Sequence, residues 1–410
     1  MRTGGNLAAE ELAALRRLAL PALPALPALP ALPALPALPA LPALPALPAL
    51  PGLTGAGPGL RMPLSIREEP MSYEPLVAVT RGDFDESIHY GAVAVTGADG
   101  RVVASVGSPA AVTFMRSSAK PLQAIPLIES GAADHFRLTP VEIAIVIGSH
   151  NGEPRHQDTV RSILSKIGMS EDLLMCGTHA PYHRGTAKAL EGEGKRATPI
   201  HSNCSGKHAG MLALALFRSQ PTEGYFRAEH AVQKEILGSV ALFAGVKPAA
   251  VRIAVDGCTV PTFGISLAAA AAAYARLMEP DLLPTATRYA AHRAVEAMLS
   301  HPEMIAGEGR LDTDVMNAAG GELIAKAGAE GFYTVGFRRG GKGYGLALKI
   351  ADGNNDRART AVLLRALEEL EILPQEKIAA LQAAHQPAIE TRRGTVVGSV
   401  QARFHLQRHE

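Results

Sequence analysis

Tryptophan is absent from the 410 residues and aromatic side chains make up only 4%, so the core has to be filled by Ala, Val, Leu and Ile. Small side chains imply backbones packed close together. Charge of one sign is lacking as well: 40 Lys and Arg against 39 Asp and Glu leave +1, far from the basic surface that nucleic acid demands. Cysteine is scarce. Cys176, Cys204 and Cys258 cannot build a disulfide framework, which excludes the small secreted class and suits a reducing compartment, where such residues are core fillers, metal ligands or nucleophiles. The apolar run around Ala268–Ala273 has Arg276 and Glu279 close behind it, far short of the about 20 apolar residues of a membrane span. No membrane partner is expected.

Proline, in contrast, is crowded into one end. From Ala19 to Pro51 the chain repeats Ala-Leu-Pro, and a proline at every third position removes backbone donors and forbids a continuous helix. Residues 1–70 are therefore expected to be a disordered, polyproline-like tail, and residues 71–410 the folded domain. Collagen is excluded because the invariant small residue is Ala, not Gly. A secretory signal is excluded because Glu10 and Glu11 occupy its positive region and the proline comb replaces its apolar helix, so a cytoplasmic location is expected. The folded-looking sequence starts at Met71, which predicts translation from Met71 or Met62; an N-terminal mass measurement on native protein tests this.

Beyond Met71 the runs Leu76–Val79, Ala92–Val95 and Arg101–Val106, with Gly97-Ala98-Asp99-Gly100 between the last two, predict a strand followed by a hairpin. Thr139-Pro140-Val141-Glu142 is a capping box with proline at the first helical position, although the β-branched Ile143–Ile147 after it suits helix or strand. Helices are predicted over Pro154–Ile167, Gly206–Phe217, Ala228–Leu242, Ile265–Met278 and Arg357–Leu370.

Chemistry concentrates in two places. Arg116-Ser117-Ser118-Ala119-Lys120 contains Ser-x-x-Lys at the start of a helix, where Ser117 and Lys120 share one face. A serine hydroxyl needs a base, and a desolvated lysine can be one. An N-capping serine beside a solvated lysine has the same pattern. In His201–His208, Cys204, Lys207 and His208 crowd the start of an apolar helix, and a buried strand Val251–Val255 leads into Asp256-Gly257-Cys258. Two thiolates and a nitrogen suit zinc with an open position; two buried cysteines acting as small hydrophobes fit the spacing equally. His179 and His183 have Pro181 between them, so they belong to a loop rather than a helical metal pair. Gly340-Gly341-Lys342-Gly343-Tyr344-Gly345 lacks both phosphate-loop spacings and reads as a turn into a strand.

Together these segments resemble the class 3, or rhizobial-type, L-asparaginases, over about Pro75 to Asp352. The motifs that carry the resemblance include Glu86-Ser87 with His89, Arg116–Lys120, Ser149-His150-Asn151-Gly152-Glu153, Asn203–His208, Asp256-Gly257-Cys258, His301-Pro302-Glu303 and Lys326–Gly331. The resemblance implies an αβα sandwich similar to serine β-lactamases and glutaminases, paired as a homodimer. It implies two tandems, Ser117 with Lys120 and Ser149 with Lys326, and a zinc ion held by Cys204, Lys207 and Cys258. Arg116, His208 and Asp256 would line and support the site. A lysine can ligate a metal only as the neutral amine. The Ala-Leu-Pro tail is no part of the family pattern, Ala327 follows Lys326 where Gly is commoner, and Asn151 stands where a small serine is usual.

The function expected from this likeness is hydrolysis of the side-chain amide of L-asparagine to aspartate and ammonia. Glutamine or another small amide is the nearest alternative. A penicillin-recognising acyltransferase also uses Ser-x-x-Lys, but the chain has no Lys-Thr-Gly or Lys-Ser-Gly. A zinc-stabilised binding protein without catalysis would unfold when its metal is removed.

Overall fold

A computed structural model describes residues 72–409. The predicted tail lies outside the described residues, and those described all fall in a unit running Ile66–Glu410. The main sheet is antiparallel throughout. It is built from β1 (Glu74–Arg81), β2 (Phe84–Gly97), β3 (Val102–Val106), β7 (Leu323–Ala327), β8 (Phe332–Arg339) and β9 (Lys342–Ile350), with Val400–Ala402 on its β1 edge and Gln407–Arg408 on β3. The long β2 pairs along one side first with β1 and then with β3, and along the other with β9, which β8 and β7 follow. A second sheet sets β6 (Pro261–Ser266) between β4 (Val112–Phe114) and β5 (Arg252–Val255).

Side chains alternate across a strand, so the unbroken burial of Leu346, Ala347, Leu348 and Ile350 means that both faces of β9 are covered. The helices are α1 (Lys120–Glu129), α2 (Pro140–Ile147), α3 (Pro154–Lys166), α4 (Ser205–Phe217), α5 (Ala231–Ala244), α6 (Leu267–Met278), α7 (Thr285–Ser300) and α8 (Thr360–Glu369). Helix α6 lies across β9, β2 and β8, while α8 packs on β1 and on Val400–Ala402. The architecture is the mixed α/β layering expected from the sequence. No helix among the described residues is long and apolar enough to cross a membrane.

Small residues make this packing possible. A Cβ on Gly345 would collide with the Ala271 carbonyl, and one on Gly343 would stand 2.7 Å from that of Ala275. Two members of the glycine-rich run thus admit α6 to the sheet, and Gly340 and Gly341, at φ 58° and 78°, make the β8–β9 turn. The structural reading of that run holds. Helix α1 is buried from Lys120 to Ile128, among α2, α4, α5 and α7.

Four expectations need correcting. The Val251–Val255 strand is not buried: β5 is an outer strand, and Ile253 and Val255 are 47% and 78% exposed. Ile265 and Ser266 end β6 rather than open a helix, and the Ser266 hydroxyl caps α6 by accepting from the Ala269 amide at 3.2 Å. The helix predicted over Ala228–Leu242 starts at Ala231, because His230 caps it through the Val232 amide. Arg357–Leu370 opens with a π-turn over Asn355–Arg359. The ambiguous Ile143–Ile147 is helical, and its box closes with the Thr139 amide donating to Glu142 at 2.7 Å.

Candidate active site

Strands β4 and β5 both run antiparallel to β6, hence parallel to each other, and their C-terminal ends deliver Arg116 and Asp256 to one place. There the Arg116 guanidinium donates to Asp256 Oδ1 through Nε at 3.0 Å and Nη2 at 2.8 Å. Arg116 sits at φ 52°, a left-handed backbone that a branched or bulky residue adopts only under constraint. Burial raises the Asp256 carboxyl, but Lys207 and the Arg116 fork outweigh it and hold it below the usual range.

After Arg116 the chain makes a 3-10 turn over Arg116–Ala119 and enters α1 with Pro121 in its first turn. The Lys120 amide donates to the Ser117 carbonyl, so the two residues are one turn apart where the 3-10 turn passes into α1. The Lys120 amine is buried and donates to the carbonyls of Gly148, at 2.6 Å, and Asn203, at 3.0 Å. Burial, the largest influence, pulls its pKa down. When this amine gives up a proton while two N–H bonds remain on carbonyls, its lone pair is left over.

The Gly148 carbonyl belongs to the turn that carries Ser149, and the Asn203 carbonyl to the turn that carries Cys204. Ser149 is buried, and its hydroxyl has no hydrogen-bond partner among the described residues. Lys326, on the innermost length of β7, is fully buried; its amine donates to the Ala327 carbonyl at 3.2 Å. Burial first, opposed mainly by Asp312, brings Lys326 down to about 7. The link to the other tandem is Ser118, whose hydroxyl donates to the Lys326 carbonyl at 2.7 Å. Of two adjacent serines, 118 is thus engaged in structure through its side chain, while Ser117 is half-buried and its hydroxyl makes no described hydrogen bond. The sequence motif selected Ser117 but gave no sign of Ser118's task, nor of Tyr274, whose hydroxyl donates to the Ser118 carbonyl at 2.8 Å.

On the far side of Lys120 lies the thiol cluster. Cys204 caps α4, Lys207 sits in its first turn, and the Lys207 amine donates to Cys258 Sγ at 3.1 Å. A hydrogen bond from the Cys258 thiol, with the positive charges of Lys120 and Lys207, outweighs burial and holds Cys204 well below its ordinary pKa; the same bond leaves Cys258 raised and protonated. Burial lowers Lys207, yet the two sulfurs and Asp256 overcome it and keep this amine above its usual value. His208 is buried beside the Tyr225 hydroxyl at 2.7 Å, and burial followed by Lys207 and Lys120 holds it neutral. Among the described residues no three His, Cys, Asp or Glu side chains gather as a metal-ligand set. The thiolate, thiol and amine that do gather form a soft donor set whose chemistry fits zinc once the thiol and amine give up their protons.

His179 and His183 lie in a loop, as expected. His183 caps the helix Arg184–Gly192, and His179 accepts from the amide of Asn203 at 3.0 Å, bracing the residue before Cys204.

The family model for L-asparaginase II matches residues 77–402. The chain belongs to that family. No curated protein matches this L-asparaginase II family member. Among solved structures it is similar to the native form of Mglu, at 15% identity and a TM-score of 0.38, over 68% of this chain and 64% of that one. It is also similar to a Bacillus glutaminase, at 14% identity and a TM-score of 0.33, over 69% of this chain and 91% of that one. The chain therefore spans less than two thirds of the length of Mglu.

Proposed function

We propose that this chain hydrolyses the side-chain amide of L-asparagine to L-aspartate and ammonia with its two serine–lysine tandems. The observation that carries the reading is a pair of buried lysines, Lys120 and Lys326, both driven toward the neutral amine, the first bonded to the carbonyl of Gly148 beside Ser149 and the second accepting through its own carbonyl from Ser118 beside Ser117. Ser117 is the more accessible serine. Its proton passes to the Lys120 amine as Oγ bonds to the amide carbon, and the oxyanion meets the backbone amide of Ser117 at the start of the 3-10 turn, where amides lack an intrahelical acceptor. The ammonium returns the proton to the departing nitrogen, so ammonia leaves and an ester to Ser117 remains. The Ser149–Lys326 tandem takes a proton from water, whose oxygen attacks the ester, and restores the Ser117 hydroxyl.

Arg116 and Asp256 present a cation and an anion side by side, complementary to the α-carboxylate and α-ammonium of an amino acid. Cys204, Lys207 and Cys258 would hold zinc, which supplies Lewis acidity and fixes the direction of nearby polar groups. Without it, Lys207 remains an ammonium that ties Cys258 to Asp256.

The test is ammonia release from asparagine, glutamine and aspartyl-glucosamine, with and without chelator. Asparagine should be turned over fastest. Turnover of none of the three defeats the reading, and glutamine first replaces the substrate. Survival of all activity in chelator removes zinc from the reaction.

A further inference from the structure

Lys326 is fully buried, and the strongest opposing charge it meets comes from a residue that no motif pointed to. Asp312 stands in the first turn of the helix Leu311–Ala319, 2% exposed, and its Oδ1 accepts from the Ala327 amide, next to Lys326, at 2.5 Å. The strand is pinned on either side of that bond: the Lys326 carbonyl accepts from Ser118 and, at 3.2 Å, from Thr334, and the Gly328 carbonyl accepts from Arg359 at 2.9 Å. Arg359 in turn lies over the Tyr333 ring, 5.6 Å from its centroid.

We propose that Asp312 is a positioning residue for Lys326, the counter-charge that fixes the strand carrying the amine and governs how readily that amine takes up a proton. The proposal rests on the proton-transfer role given to Lys326 above. Lys326 is faced by Asp312 from its helix, by Arg310 just ahead of that helix, by Lys120 from α1 and by Cys204 from the cap of α4. Two of these four are cations that, like burial, favour the neutral amine, so the carboxylate is the main influence holding a proton there at all. Asp312 itself is faced by Tyr274 of α6, Tyr333 of β8 and Arg359. A purely structural Asp312 would do no more than tether β7 to the helix.

Two readouts on the full chain separate these roles. In protein labelled with 13C at the lysine ε-carbon, the resonance that vanishes in Lys326→Met reports the protonation of Lys326. Its midpoint, about 7 in the native protein, should fall by roughly one pH unit in Asp312→Asn, which keeps an acceptor for the Ala327 amide but carries no charge. The acid limb of kcat/KM for ammonia release from asparagine should move the same way. A folded Asp312→Asn with an unmoved midpoint overturns the proposal, whatever its activity. A lower midpoint in a protein that hydrolyses no amide upholds the coupling and defeats the reaction instead. Asp312→Ser serves the same comparison if the asparagine variant does not fold.

Discussion

Three lysines converge on this site, each fully out of solvent or nearly so, and they part in two directions. Lys120 and Lys326 face carbonyls and one another, and burial outweighs the counter-charges of Cys204 on the first and Asp312 on the second, so both are pulled toward the neutral amine. Lys207, in the thiol half, faces two sulfurs and Asp256 and is held as an ammonium. Depth alone therefore decides nothing about a buried amine; the sign of what surrounds it does.

The largest expected effects fall on the hydroxyls that the neutral amines serve. Ser117→Ala and Ser149→Ala should each cut kcat by at least about a thousandfold while the thermal midpoint holds, read by ammonia release and calorimetry. Normal turnover in either variant removes that serine. Next in size is the Arg116–Asp256 pair: Arg116→Lys keeps the charge but loses the two N–H bonds that converge on Asp256 Oδ1, and should lower kcat/KM by about ten- to a hundredfold, mostly through KM.

The thiol half should respond in metal content before it responds in rate. Cys204→Ser should abolish zinc binding, measured as metal per chain after dialysis, whereas Lys326→Met should leave it unchanged. The smallest effect is in stability against pH. The folded-state value of Lys326, about 7, lies below the about 10.4 of an unfolded lysine, so the unfolded chain binds more protons between those limits and stability should rise with pH across them. Lys326→Met should flatten that rise. An equal slope in the variant means that another group supplies it. The same value sets the rate profile, which should climb through neutrality rather than be level from mildly acidic pH.

Much of this was legible along the chain because it is local. Capping boxes, the turn at Gly340-Gly341 and the apolar stripes act over a few residues, and helices such as Pro154–Lys166 and Ser205–Phe217 fall within a residue of where periodicity puts them. The fate of β5 was not legible: Val251–Val255 has the composition of an inner strand, and only its pairing on β6 alone makes it an outer one. The Ser117–Lys120 pair came from its Ser-x-x-Lys spacing, whereas the pairing of Ser149 with Lys326 came only from family likeness, since the two are far apart in sequence. Asp312, Ser118 and Tyr274 escaped notice for a plainer reason. Each acts through a backbone group of a residue distant in sequence, and such a bond leaves no mark on residue type.

The bare strand positions opposite α6 have a mechanical consequence. With no Cβ at Gly343 and Gly345 the helix is seated hard against the sheet, and its Tyr274 reaches from that seat to the Ser118 carbonyl, one residue from the proposed nucleophile Ser117. Adding one methyl group at Gly345 would push the Ala271 carbonyl and its helix off the sheet, loosening the bond from Tyr274 to the Ser118 carbonyl. A substitution buried in the sheet, touching nothing that reacts, would register as lost turnover.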